Sequence, residues 1–204
     1  MKITSIIKSK SDKFYFVYFC NEKYLKVTLE EIIKFNLKEG KELSDEEINN
    51  IAKETELKLS YNYALNLLAY KEYTESEIRK KLTKKGFSNL CIENTINKLK
   101  HYNFINDYEY AKKYINYCLS KKLGKRRISY GLNSKGINFD NLHIEVQQET
   151  LLENAKNIAL KKYAKIKDKQ NVKLRLYNYL AYKGYDNDII LQVLKEVIKE
   201  NDGD

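Results

Sequence analysis

Proline is absent from the 204-residue chain, where average usage of about 5% would supply roughly ten. Every interior stretch is therefore free to be helical, although a codon bias toward Lys, Ile, Asn and Tyr would have the same effect. Cysteine and histidine are scarce and scattered. Cys20, Cys91 and Cys118 are odd in number with no Cys-x-x-Cys, and His101 and His143 stand alone. Structural metals and disulfide frameworks need clustered ligands, so neither is expected, and these five residues read as structural or tolerated. Long apolar runs are also missing. None approaches the ~18–20 residues of a membrane span, and MKITSIIKSKSDKFYF lacks a signal peptide's continuous apolar segment and small-residue cleavage site. A cytoplasmic protein without membrane contact is expected. The chain has no phosphate loop, no Gly-x-Gly-x-x-Gly, no Ser/His/Asp or Cys/His signature and no gathered carboxylates. No catalytic residue, metal or cofactor is expected, and Asp107 reads as a helix cap.

The residues that are present make a soluble, globular composition: 43% hydrophobic and 32% charged, with net charge +10. The length allows one large domain or two small ones. Charge is unevenly spread. Residues 1–60 carry 11 Lys against 11 acids, whereas residues 61–204 carry 27 basic residues against 17 acids. The sharpest stretch, 112–135 (KKYINYCLSKKLGKRRISYGLNSK), has eight basic residues and no acid. This asymmetry places a boundary near residue 60 and suggests a polyanionic or acidic partner for residues 61–204.

Residues 2–8, 13–20 and 23–29 are rich in β-branched and aromatic residues and read as strands, with a turn at Asn21-Glu22. The second strand is apolar on both faces and is expected to be central. A short helix is expected over 30–38, stopping at Gly40. Another opens at Ser44, where Glu47 completes a capping box and Leu43 with Ile48 a hydrophobic staple.

Three segments, 77–96, 127–146 and 175–194, align without gaps on Gly86, Gly136 and Gly184. Each has apolar residues eight and four positions before the glycine (Ile78/Leu82, Ile128/Leu132, Leu176/Leu180) and a lysine directly before it. An apolar residue comes next, then Ser88, Asn138 or Asp186, with apolar positions resuming at +6 and +10. The pattern predicts an amphipathic helix, a left-handed glycine, and a second helix capped almost at once. A further helix precedes each pair, at 60–71, from Asp107, and at about 150–167. The middle helix of the first unit opens with Thr74…Glu77 as capping box and Tyr73/Ile78 as staple. The expected fold is mainly α, with three tandem three-helix repeats (60–107, 108–150, 151–204) in an extended or curved rod after a small β-containing segment (1–59).

Residues 64–87 (ALNLLAYKEYTESEIRKKLTKKGF), 105–111 (INDYEYA) and 123–137 (LGKRRISYGLNSKGI) carry a resemblance to the RecX family, regulators of the bacterial RecA recombinase. The matching elements are Glu77-Ile78, Leu82-x-x-Lys85-Gly86, Asp107-x-x-Tyr110-Ala111, Gly124-x-x-Arg127-Ile128 and Leu132-x-x-Lys135-Gly136. Lys71 stands where arginine is usual, and Lys125 where proline often follows the glycine. The resemblance covers about 60–200 and is most specific over 64–137. It implies three tandem three-helix repeats, no catalytic activity, and binding along the helical groove of the RecA–DNA filament. Strand exchange, ATP hydrolysis and co-protease activity would fall, which bears on recombination, DNA repair and the SOS response.

The best site candidate is the 112–135 run. Lys112, Lys113, Lys121, Lys122, Lys125, Arg126, Arg127 and Lys135 surround a helix–helix junction at Gly124, whose second helix offers free N–H groups to an anion. Tyr114, Tyr117 and Tyr130 interleave and could stack on bases or fill a protein hot spot; the alternative is a solvated face with the tyrosines in the core. Arg79, Lys80, Lys81, Lys84 and Lys85 form a second group. Lys161, Lys162, Lys165, Lys167 and Lys169 form a third, on an amphipathic helix that includes Asp168, and Arg175 reads as a packing or ion-pair residue. The expected partners are the RecA filament and single- or double-stranded DNA, met directly or through RecA, by a monomer. The rival is a helical-repeat protein that binds nucleic acid without RecA; a weaker third reading is a protein-only scaffold.

Overall fold

The computed structural model describes residues 1–10, 14–167 and 169–199. Lys13, expected to open the second strand, and Asp168 lie outside the described residues. The chain divides into two compact units, residues 1–72 with 78–105, and residues 73–77 with the chain from Asn106 on.

The first unit begins with an antiparallel sheet of β1 (Ile3–Lys8), β2 (Phe14–Phe19) and β3 (Tyr24–Thr28), with β2 central as the sequence implies. Alternation sends Ile3, Val17, Phe19, Leu25 and Val27 into a core closed by Leu37, Leu43 and Ile51. The next helix, α1 (Leu29–Lys34), is shorter than expected. It ends on left-handed Asn36 (φ 46°), well before Gly40. The capping box at Ser44 and Glu47 forms and opens α2 (Asp45–Tyr70). Two helices expected here, one from Ser44 and one over 60–71, are a single 26-residue helix. Nothing between them breaks it: Ser60 turns its hydroxyl to the Leu57 carbonyl and to Thr95 Oγ1 (2.6 Å) instead of capping. The helices α3 (Glu75–Lys85) and α4 (Asn89–His101) come next, with Ile78, Leu82, Ile92 and Ile96 buried as the repeat pattern requires.

The second unit contains α5 (Asp107–Ser120), α6 (Lys125–Ser134), α7 (Gln148–Tyr163), α8 (Val172–Lys183) and α9 (Asn187–Lys199). Ile128, Leu132, Leu176, Leu180, Ile190 and Leu194 are buried at their repeat positions. The helix expected from Asn138 is not formed; Asp140–Leu142 makes a single 3-10 turn. The Asn138 side chain accepts from Asp140 N, Asn133 Oδ1 accepts from Phe139 N, and His143 is left-handed. These local bonds compete with a helical turn. α7 likewise stops at Tyr163, so Lys165, Lys167 and Lys169 lie beyond the helix expected to carry them.

The three aligned glycines are left-handed, at φ 91°, 80° and 89°. At each, the glycine N–H reaches back three residues and the next N–H five (Phe87 to Leu82, Ile137 to Leu132, Tyr185 to Leu180). This is the expected Schellman closure. Leu37, Phe104 and Leu123 close α1, α4 and α5 by the same bonds, with Asn36, Asn103 and Lys122 in the glycine's place.

Candidate functional site

Two junctions between repeats are built alike within the second unit. At the first, Thr74 and Glu77 form their capping box, and Thr74 Oγ1 donates to the Lys135 carbonyl (2.7 Å). At the second, Gly124 N donates to the Lys183 carbonyl (2.9 Å) and Arg126 N to the Gly184 carbonyl (3.0 Å). In both, the start of one repeat's middle helix meets the Lys-Gly that ends the next repeat's middle helix. At the second, orphan amides of α6 satisfy orphan carbonyls at the end of α8; at the first, a hydroxyl takes the amide's place. The amides of α6 that could have held an anion are thus partly taken by the end of α8. A Cβ on Gly124 would lie 2.3 Å from the Gly184 carbonyl carbon, so glycine is required at this position by contact. The left-handed residue that ends α5 is Lys122.

Asp107 also has a different role from the one expected. Asn106 caps α5, its side chain accepting from Glu109 N, while the Asp107 carboxylate accepts from Glu75 N (2.9 Å) at the start of α3. Sequence spacing alone gives no sign of a cap supplied from 32 residues away.

The basic run separates into committed and presented charges. Lys135 bonds Glu77 (3.1 Å) and lies over the Tyr110 ring; hydrogen bonding to Tyr110 and then to Glu77 holds its ammonium pKa up. Lys122 Nζ donates to Asn154 (2.7 Å), and its carbonyl accepts from the buried Tyr185 hydroxyl (2.9 Å). Lys112 pairs with Glu109. Lys113 is an exposed residue of α5. Tyr114 packs over Gly131 in the core, and burial pushes its phenol pKa up.

Lys121, Lys125, Arg126 and Arg127 remain exposed around the junction. Lys121 lies over Tyr117 (5.7 Å), and Arg126 Nε meets Asp186 (2.8 Å) in a surface pair, worth about 0–1 kcal/mol. The Arg127 guanidinium lies 5.2 Å from the Tyr182 ring centre, within cation–π range. Tyr130 is 75% exposed and Tyr182 69%. Tyr130 lines a cleft of about 420 Å³ with Lys125 and Arg126, whose rim also holds Asp140 and Asp186. Tyr182 lines another of about 390 Å³ with Lys162, Lys169 and Arg175. Arg175, read from sequence as a packing or ion-pair residue, donates Nε to the Gln170 carbonyl (2.9 Å), and Tyr182 is not among the sequence candidates. The sequence signal for Tyr182 is its place directly ahead of the third Lys-Gly, outside the buried −8/−4 positions of the repeat.

In the first unit Arg79 forms a two-pronged pair with Glu93, and Lys85 lies 5.8 Å from the Tyr63 ring. Lys84 is exposed near the end of α3. Among the described residues no group of three or more His, Cys, Asp or Glu could hold a metal, and no helix is long and apolar enough to cross a membrane. Cys91 and Cys118 are buried and Cys20 is exposed, all with free thiols.

A regulatory protein RecX of Clostridioides difficile is 33% identical to this chain over 194 residues, spanning 92% of this chain and 91% of its own. The chain belongs to the RecX family. Family models described as the first and third three-helix domains of RecX match residues 61–99 and 148–194. A regulatory protein RecX of Bacillus subtilis is 31% identical and covers 99% of this chain and 79% of its own. A crystal structure of a regulatory protein RecX superposes with a TM-score of 0.68 at 27% identity, covering 94% of this chain and 98% of its own. RecX from Lactobacillus salivarius gives 0.66, also at 27% identity, over 71% of this chain and 97% of its own.

Proposed function

We propose that this RecX-family chain is a regulator that binds the RecA–DNA filament in its helical groove and lowers recombinase, ATPase and co-protease activity. One observation carries the reading: Lys121, Lys125, Arg126 and Arg127 are presented together at the α5–α6 junction beside exposed Tyr117, Tyr130 and Tyr182. Among the described residues, Asp186 is the acid that pairs with one of the four. Such a surface meets phosphates or acidic side chains by charge and offers rings for stacking or hot-spot contact. The cation–π contact with Tyr182 restrains Arg127 before binding, which reduces the side-chain entropy lost on contact. In this reading the protein works in the cytoplasm as a monomer, and Lys112, Lys113, Lys84 and Lys85 add long-range attraction.

Binding should be measured to RecA filaments on single-stranded DNA and, separately, to bare DNA across a salt series. Filament binding should be strong, and Ala at Lys121, Lys125, Arg126 and Arg127 should weaken it and flatten its salt dependence. The rival in which nucleic acid is bound without RecA requires equal affinity for bare DNA, with a log–log slope of roughly one unit per phosphate contacted.

A further inference from the structure

The N-terminal sheet has a second face that its core does not use. The register sets Ile7 beside Phe16 beside Lys26, and Tyr18 beside Tyr24, with Phe14 at the end of β2. These side chains point away from Val17, Leu25 and Val27, which fill the core. The solvent face of a small antiparallel sheet is ordinarily polar, yet here it is aromatic. Phe16, Tyr18 and Tyr24 form a contiguous layer with ring centres 5.5–6.5 Å apart, and Lys26 Nζ lies 3.9 Å over Phe14. Tyr24 is 61% exposed, so the layer is open on the β3 side.

The charge pattern chooses the occupant. No strand of the sheet contains Asp or Glu; Lys8 and Lys26 are its charged residues. Among the described residues, Lys2, Lys10 and Lys23 lie just outside the strands and are exposed, against two exposed acids, Glu22 in the β2–β3 turn and Glu42 bridged to Lys2. Clustered rings on the open face of a sheet, tilted 42–75° to one another and bordered by cations, offer faces and edges to unstacked bases joined by phosphates. A duplex keeps its base faces covered and could not use the rings.

We propose that the outer face of β1–β2–β3 is a stacking platform for single-stranded nucleic acid, separate from the α5–α6 junction. The platform is sequence-tolerant, because every base has a π-face.

The test uses the full chain and a fluorescein-labelled oligothymidylate of about 20 nucleotides, with a duplex of equal length as comparison, read by anisotropy. Tyr24→Ala should weaken oligothymidylate binding about ten-fold, within the range found for loss of one stacked base, and leave duplex binding unchanged. Tyr24→Phe should bind as wild type, and Lys26→Ala should weaken binding less than Tyr24→Ala. The Tyr24→Ala loss should persist when Lys121, Lys125, Arg126 and Arg127 are all alanine, which separates this platform from the junction. In a 5-iododeoxyuridine strand, photocrosslinks should map to Tyr18 or Tyr24. The proposal is overturned if wild type does not bind oligothymidylate, if Tyr24→Ala binds as wild type, or if crosslinks avoid the sheet. Full affinity in Tyr24→Leu, which keeps apolar area without a ring, would also overturn it and indicate a protein-docking face. Far-ultraviolet circular dichroism confirms that each variant is folded.

Discussion

Alanine substitutions at four glycines separate two demands that helix ends and repeat junctions place on this chain. Gly86 is left-handed, and a methyl group placed on its Cα would meet nothing within 4 Å, so Gly86→Ala should cost only the backbone strain, about 1–2 kcal/mol. Gly124 has an ordinary φ of −81° but would put Cβ 2.3 Å from Gly184 backbone atoms, so Gly124→Ala should cost only the overpacking, roughly 1–3 kcal/mol. Gly184 carries both demands, with φ 89° and a Cβ 2.6 Å from Arg127 N and Cβ. Gly136 is left-handed and would put Cβ 2.3 Å from Ser76 Cβ, an atom fixed to its backbone, so it too carries both demands. The expected order of destabilisation is Gly184 and Gly136 together above Gly86, the smallest of the left-handed three. Urea unfolding followed by far-ultraviolet circular dichroism reads this, because a change of about 1–2 kcal/mol moves the midpoint by roughly 0.5–1 M when the slope is near 2 kcal/mol/M. A Gly184→Ala protein as stable as Gly86→Ala, or a neutral Gly124→Ala, would refute the junction geometry. The smaller residue would then be needed only to end helices.

Lys122→Gly relieves a left-handed lysine worth about 1–2 kcal/mol but removes the Asn154 bond; a net gain in urea midpoint is expected, and a loss would mean that the Asn154 contact outweighs the strain. Glu56 accepts from Ser88 N (2.6 Å) and Oγ (2.9 Å) at the start of α4. Burial raises its pKa, but the bonds from Ser88 and Cys91 outweigh this and hold it below the ordinary 4.5. Its folded pKa being depressed, its stabilisation is present above pH 4.5 and lost as pH falls through the folded value; Glu56→Gln should flatten the acid limb of a thermal-stability profile, and an unchanged limb would contradict this. Asp186→Asn removes the acid paired with Arg126 and should raise filament affinity by a few-fold at low salt; lower affinity would place Asp186 in the contact itself.

Much of the fold was readable because it is governed by short-range chemistry. The three glycine closures, both capping boxes, the central β2 and the buried −8/−4 positions are all set by patterns local in sequence. The misreadings have a common physical source. Asn36, Asn103 and Lys122 end helices without glycine; asparagine tolerates the left-handed region, so two of these ends carried a weak signal, but Lys122 carries none. At Ser60, inside the fused helix, the hydroxyl meets Thr95, 35 residues away, and Asp107 acts on Glu75, 32 residues back. For the candidate site, the basic run was visible, but its division was not. Lys135 is committed by Glu77 at a separation of 58 residues, and Lys122 by Asn154 at 32. Composition counts charges; only the packing of repeat on repeat shows which of them face outward.

The most direct measurement is the single-stranded-DNA-dependent ATPase of RecA with increasing amounts of this protein, wild type beside the Lys121/Lys125/Arg126/Arg127 alanine variant. Wild type should depress hydrolysis at substoichiometric to micromolar levels, with the folded quadruple variant markedly weaker. Hydrolysis unaffected by micromolar wild-type protein would contradict the regulatory reading, and equal inhibition by the variant would remove the α5–α6 junction from it.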